Sequence, residues 1–102
     1  MKYALIKYHF SHGSKDDWHR DIARFIEAIE NDPELRGKIS YRAMKAGSDD
    51  YYHLATAFDQ ATADLLGERG FFDRYTARTG EVSGGKVEVI PLDIIAQTKE
   101  LL

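Results

Sequence analysis

Apolar positions recur along this chain in two periods. Between Ser14 and Asn31, Trp18, Ile22, Phe25, Ile26 and Ile29 fall at i, i+4, i+7, i+8 and i+11. That is one stripe of a helix, with Lys15, Arg20, Arg24 and Glu27 mostly outside it. Ser14, three residues before Asp17, resembles a capping box at its start. Pro33 disfavours helical geometry at Asp32 and closes it. Four other segments carry aromatic and aliphatic residues over strand length: 2–10, 38–46 ("KISYRAMKA"), 51–58 and 86–95 ("KVEVIPLDII"). "SHGS" stops the first, and "GSDD" turns the second into the third as a hairpin. Asp59 caps a further helix, "QATADLLGERGFFDRYTARTG", which Gly67 and Gly70 should weaken into two pieces. Leu65, Leu66, Phe72 and Tyr75 form its stripe, and "SGG" ends it. The order predicts an α+β, ferredoxin-like βαββαβ fold with a four-stranded antiparallel sheet.

In that topology both helices cover one face of the sheet and leave the other bare. Four strands expose a face of roughly 400 Å² before side-chain relief is counted. Neither parity of the strands is cleanly polar. The third offers Tyr52, Leu54, Thr56 and Phe58 one way, and Tyr51, His53, Ala55 and Ala57 the other. A sheet that meets water on one side should alternate more sharply, and a lone monomer seldom leaves such a patch uncovered. A homodimer closed through the sheet faces is therefore expected.

Composition narrows the function classes. A chain of 102 residues reads as a single domain over 1–102, and 43% hydrophobic with 30% charged residues is a soluble globular composition. Fourteen basic and seventeen acidic residues leave a net charge of -3, which disfavours nucleic acid as a partner. The RNA-recognition variant of this topology needs basic neighbours around its aromatics, and "YYHLATAF" lacks them. With no cysteine there is no disulfide scaffold and no thiolate chemistry. The opening "MKYALIKYHF" reads as a strand and not a signal peptide, and no run nears the ~18 apolar residues of a membrane span. No membrane partner is expected, and the cytoplasm is the expected location.

The segments "YHFSHGSKDDW", "YRAMKAGSDDYYHLATAFD" and "GERGFFDRYTARTG" followed by "VEVIPLDII" together resemble the dimeric α+β-barrel superfamily. Antibiotic-biosynthesis, quinol and haem-degrading monooxygenases are members of it, as are stress-responsive barrel-like small proteins. The resemblance covers nearly the whole chain and implies a cavity between sheet and helices, with a dimer closing the barrel. It also implies oxygenation without metal or flavin, in which the deprotonated substrate reacts with dioxygen itself. Phe58 stands where the superfamily often has a tryptophan, and Thr76 where its haem-degrading branch has an iron-ligating histidine. Threonine cannot replace that ligand, so haem degradation is disfavoured.

The residues supply several candidates for chemistry. His53 lies on a central strand, either as a buried, hydrogen-bonded histidine or as a general base. Arg42 sits among apolar neighbours, where its guanidinium needs an ion-pair partner or a substrate anion. Tyr8, Tyr52, Phe58, Phe72 and Tyr75 are candidate walls for an aromatic or phenolic ligand, although such aromatics more often simply pack. The first strand presents either Lys7 and His9 or Ile6 and Tyr8 to the cavity; the pattern leaves both open. The four histidines do not form a metal-ligand spacing, so no metal is expected, and the resemblance implies that no cofactor is used. Two functions follow: a cofactor-independent monooxygenase-like enzyme using Arg42 and His53, or a non-catalytic dimer that binds a small ligand or serves a structural role.

Overall fold

The computed structural model describes residues 1–99. Seven elements follow one another: β1 (Lys2–His9), α1 (Lys15–Glu30), β2 (Ile39–Ala46), β3 (Asp50–Ala57), α2 (Gln60–Gly67), α3 (Gly70–Val82) and β4 (Val87–Leu92). The strands form one antiparallel sheet in the order β2-β3-β1-β4, an α+β, ferredoxin-like arrangement. No described helix is long and apolar enough to cross a membrane.

Local chemistry sets the helix boundaries. The Ser14 side chain accepts a hydrogen bond from the Asp17 backbone N–H, satisfying one free donor of the first turn of α1. Asp59 does the same for α2, accepting from both the N–H and the hydroxyl of Thr62, at 2.8 and 2.7 Å. The expected two-piece helix breaks at Glu68 and Arg69, between α2 and α3. Arg69 then pins the break to the turn after α1, donating to Asp32 at 2.8 Å and to Glu34 at 2.9 Å. Its guanidinium holds the Asp32 carboxyl below the usual carboxylate range.

The α1 stripe buries Trp18, Ile22, Phe25 and Ile29 against the sheet. Strand register settles which sheet residues meet them. Tyr8 pairs with Tyr51, Ile6 with His53, Ala4 with Ala55, and Ala43 with His53. Directly paired residues share a face, so Ala4, Ile6, Tyr8, Tyr51, His53, Ala55, Ala57, Ile39, Tyr41 and Ala43 lie on the helix side. Lys7, His9, Arg42, Tyr52 and Leu54 lie on the open side. The face of β1 turned toward the helices is thus that of Ile6 and Tyr8, not that of Lys7 and His9.

β4 is clearly shorter than its hydrophobic run. It stops at Leu92 and not 95, where its pairing with β1 ends at Tyr3. Pro91 is tolerated there because β4 is an edge strand.

Leu35, in the α1–β2 connection, is fully buried and belongs to the same core cluster. Leu35→Ala should cost about 3 kcal/mol, read as a lower urea midpoint with an unchanged denaturant slope. A loss within measurement error would show that the turn does not contribute to the core.

Candidate functional site

The helix-facing side of the central strands tapers. Along β1 the residues grow from Ala4 through Ile6 to Tyr8, and along β3 they shrink from Tyr51 through His53 to Ala55 and Ala57. The strands are antiparallel, so both tapers narrow toward the same end. One end is therefore packed with aromatic rings and the other is hollow. The hollow is a cavity of about 420 Å³, walled by Ala4, Ile6, Ala55 and Ala57 from the sheet and by Phe25, Leu66, Phe72, Tyr75 and Gly80 from the helices. Val87 and Val89 of β4 and Ile39 and Tyr41 of β2 close its sides.

At the boundary between packed and hollow ends lies a chain of buried polar groups. Trp18 Nε1–H donates to the Tyr8 hydroxyl at 2.8 Å, and that hydroxyl lies 2.9 Å from His53 Nε2. On the far side of the imidazole, Nδ1 lies 2.6 Å from the Tyr41 hydroxyl and 3.1 Å from that of Tyr75. The two hydroxyls are 2.9 Å apart. Rings hold the hydroxyls in position: Tyr75 stacks on Phe25 with centroids 3.8 Å apart and on Trp18 at 5.5 Å, while Tyr8 stacks on Tyr51 at 5.3 Å.

Electrostatically the cluster is a set of groups kept neutral. Burial lowers the His53 pKa from 6.5 to about 4, since the imidazolium would be charged with only phenols and an indole around it. Burial likewise raises the Tyr8, Tyr41 and Tyr75 phenols above their ordinary range. The neighbouring Tyr41 raises Tyr75 further.

Of the residues singled out from the sequence, Phe72 and Tyr75 line the cavity. Tyr8 and His53 stand one layer behind its wall, and reach it only through Tyr41 and Tyr75. Tyr52 is on the open face and Phe58, 57 % exposed, lies beyond the end of β3; neither lines the cavity. Arg42 pairs with Leu54 and so shares the open face with it. The sheet separates Arg42 from His53 and from the cavity, so the two cannot act on one ligand within a protomer. Nor does Arg42 have a carboxylate partner among the described residues. Tyr41 and Trp18 are the participants that pattern reading missed as functional. Parity was the available signal for Tyr41, since Ile39, Tyr41 and Ala43 alternate with Ser40 and Arg42.

The low His53 pKa makes stability depend on pH. The unfolded chain takes up a proton near pH 6.5 and the folded chain only near 4. Acidification through that window therefore favours unfolding, by up to ~3 kcal/mol. Urea unfolding from pH 7 to 4.5 should show this loss, and His53→Gln should be less stable at pH 7 but flatter across the window. Parallel profiles for the two proteins would contradict a neutral buried imidazole.

No family model and no curated protein sequence matches the chain. Solved structures do. A crystal structure of an antibiotic biosynthesis monooxygenase superposes with a TM-score of 0.76 at 13% identity, over 94% of this chain and 100% of that one. SnoaB, a cofactor-independent oxygenase from Streptomyces nogalater, gives 0.71 at 13% identity over 97% and 98%. A protein of unknown function from Nitrosomonas europaea gives 0.71 at 12% identity over 98% and 95%. The chain has the fold of the antibiotic biosynthesis monooxygenases, along nearly its whole described length.

Proposed function

We propose that the chain is a cofactor-independent monooxygenase-like enzyme that takes a small aromatic or phenolic substrate into the cavity between sheet and helices. One observation carries this reading: a 420 Å³ space with mostly apolar walls is lined by Tyr41 and Tyr75, whose hydroxyls lie 2.9 Å apart and are backed by His53. Its size suits a small-molecule site, and the fold it shares with SnoaB accommodates oxygenation in at least that protein.

For an anthrone-like substrate the reaction balances simply. The ring CH₂ loses a proton to solvent, and the carbanion, delocalised onto the ketone oxygen, gives its electrons to dioxygen. One oxygen atom stays as a new carbonyl, and the other leaves as water with the two hydrogens of the former CH₂. The chain's contribution is to hold the oxygen that gains charge against fixed donors beside mostly apolar walls. His53, a weak base set behind two phenols, orients those donors and does not abstract the proton itself. The same weak basicity favours a second reading, a non-catalytic binder of the same ligand class.

Oxygen uptake with a panel of anthrones and hydroquinones separates the two. The enzyme reading expects uptake above blank, with kcat/KM lowered ~10-fold or more by Tyr75→Phe. Binding without uptake leaves the second reading.

We also infer that two copies pair through their open sheet faces. That face carries Tyr3, Leu5, Met44, Tyr52, Leu54, Ile90 and Leu92 around the Lys7–Glu88 ion pair. Ile95, in the segment after β4, is 98 % exposed. A projected face of roughly 400 Å², enlarged by side-chain relief and by that segment, approaches the ~800 Å² per partner of a stable complex. An isologous pair would also give Arg42 access to carboxylates of the second copy. Sedimentation at micromolar concentration should give twice the chain mass, and Leu5→Lys with Leu54→Lys should give a folded monomer. A native monomer at that concentration would rule out the pairing.

A further inference from the structure

The hydrogen atoms of the buried chain can be counted, and they do not all find partners. Trp18 supplies one N–H, Tyr8, Tyr41 and Tyr75 one O–H each, and the neutral imidazole one N–H. The imidazole has two neutral tautomers, and in each Nδ1 has Tyr41 and Tyr75 within reach. In the first, Nε2 carries the hydrogen and donates to Tyr8. The Tyr8 oxygen then accepts from both Trp18 and His53, and its own hydrogen has no acceptor, in a position buried among Trp18, Tyr51 and His53. A buried donor left unpaired is strongly penalised.

In the second, Trp18 donates to Tyr8, Tyr8 donates to Nε2, and Nδ1 carries the imidazole hydrogen. The shorter contact, 2.6 Å, directs that hydrogen to the Tyr41 oxygen, and Tyr41 in turn donates to Tyr75 at 2.9 Å. All donors run in one direction, and the unassigned hydrogen is that of Tyr75. Tyr75 lines the cavity and Tyr8 does not, so this is the arrangement whose leftover donor belongs to a residue of the cavity wall.

On the reading of the cavity as a ligand chamber, we propose that Tyr75 is the terminal donor of a one-way hydrogen-bond chain, Trp18 to Tyr8 to His53 to Tyr41 to Tyr75. The chamber is then selective for aromatic ligands that present an acceptor oxygen, a ketone or quinone carbonyl or the enolate derived from one. The threonine hydroxyls of α3 do not compete for the role, since Thr76 and Thr79 already donate to the Asp73 and Tyr75 backbone carbonyls. Tyr75 is thereby a specificity-determining residue, and His53 a positioning residue that acts through it. His53 fixes the direction of the chain, because a neutral imidazole offers one donor and one acceptor on opposite sides.

Two measurements on the native protein test this. Nitrogen-15 NMR of the histidine-labelled chain at pH 7 should show the fully buried imidazole with its hydrogen on Nδ1, the tautomer opposite to the one free histidine prefers. Anaerobic titration with 1-tetralone and with tetralin, which differ only in the ketone oxygen, should show at least ~10-fold tighter binding of the ketone. The double variant Tyr41→Phe, Tyr75→Phe should bring the two affinities together. An Nε2–H tautomer, or equal affinities in the native protein, overturns the donor assignment while leaving a ligand chamber standing. If neither compound binds, the chamber reading itself falls, and the ligand selectivity falls with it.

Discussion

Everything in this molecule that bears on chemistry depends on one buried imidazole having both nitrogens occupied. His53 is fully enclosed, with one tyrosine at Nε2 and two at Nδ1. A polar ring in that position would be a liability if either nitrogen lost its partner. With both satisfied it becomes a rigid joint between α1, β1, β2, β3 and α3, since Trp18, Tyr8, Tyr41 and Tyr75 each come from a different element. The same enclosure that makes the joint also takes away the histidine's basicity. Structure and acid–base chemistry compete for this residue, and its surroundings favour structure.

That competition shapes what the cavity can do. Its polar corner is built from phenols that stay protonated and an imidazole that stays neutral, so that corner presents fixed dipoles to a ligand, while the charged residue on the cavity wall is Lys2. Such a corner can stabilise charge that develops on a bound oxygen, because the dipoles are already aligned and need not reorganise. It cannot readily remove a proton from a weakly acidic substrate. An oxygenase built on it would work best on substrates that ionise easily, which is the class in which direct reaction with dioxygen is chemically accessible.

The fold was legible because its signals are local. The Trp18, Ile22, Phe25, Ile29 stripe, the Ser14 and Asp59 caps and the hairpin turn each lie within a few residues, and each corresponds to an observed element. The site was only partly legible because it depends on register, which joins residues far apart in sequence. His53 could be recognised as a strand histidine, but its contacts to Tyr8, Tyr41 and Tyr75 span separations of 45, 12 and 22 residues. Arg42 illustrates the cost of missing register. Next to Tyr41 in sequence, it points through the opposite face of the sheet, because a single step along a strand reverses the side chain.

The hollow end of the sheet invites the question of why it is not simply filled. Alanines 4, 55 and 57 lie on strands whose other helix-facing positions are large, and the opposing helix surface there includes Ala63 and Gly80. A core selected only for stability would place leucine or isoleucine at several of these positions, since each buried methylene adds about 0.8 kcal/mol and voids forfeit dispersion contacts. Nothing in the backbone prevents it at Gly80, where an added Cβ would meet no atom within 4 Å. Small residues converge from both helices and sheet on one volume, beside a rigid line of aligned donors. That combination forgoes stability at the place where the proposed ligand would be held, which is what a binding site would require of the core.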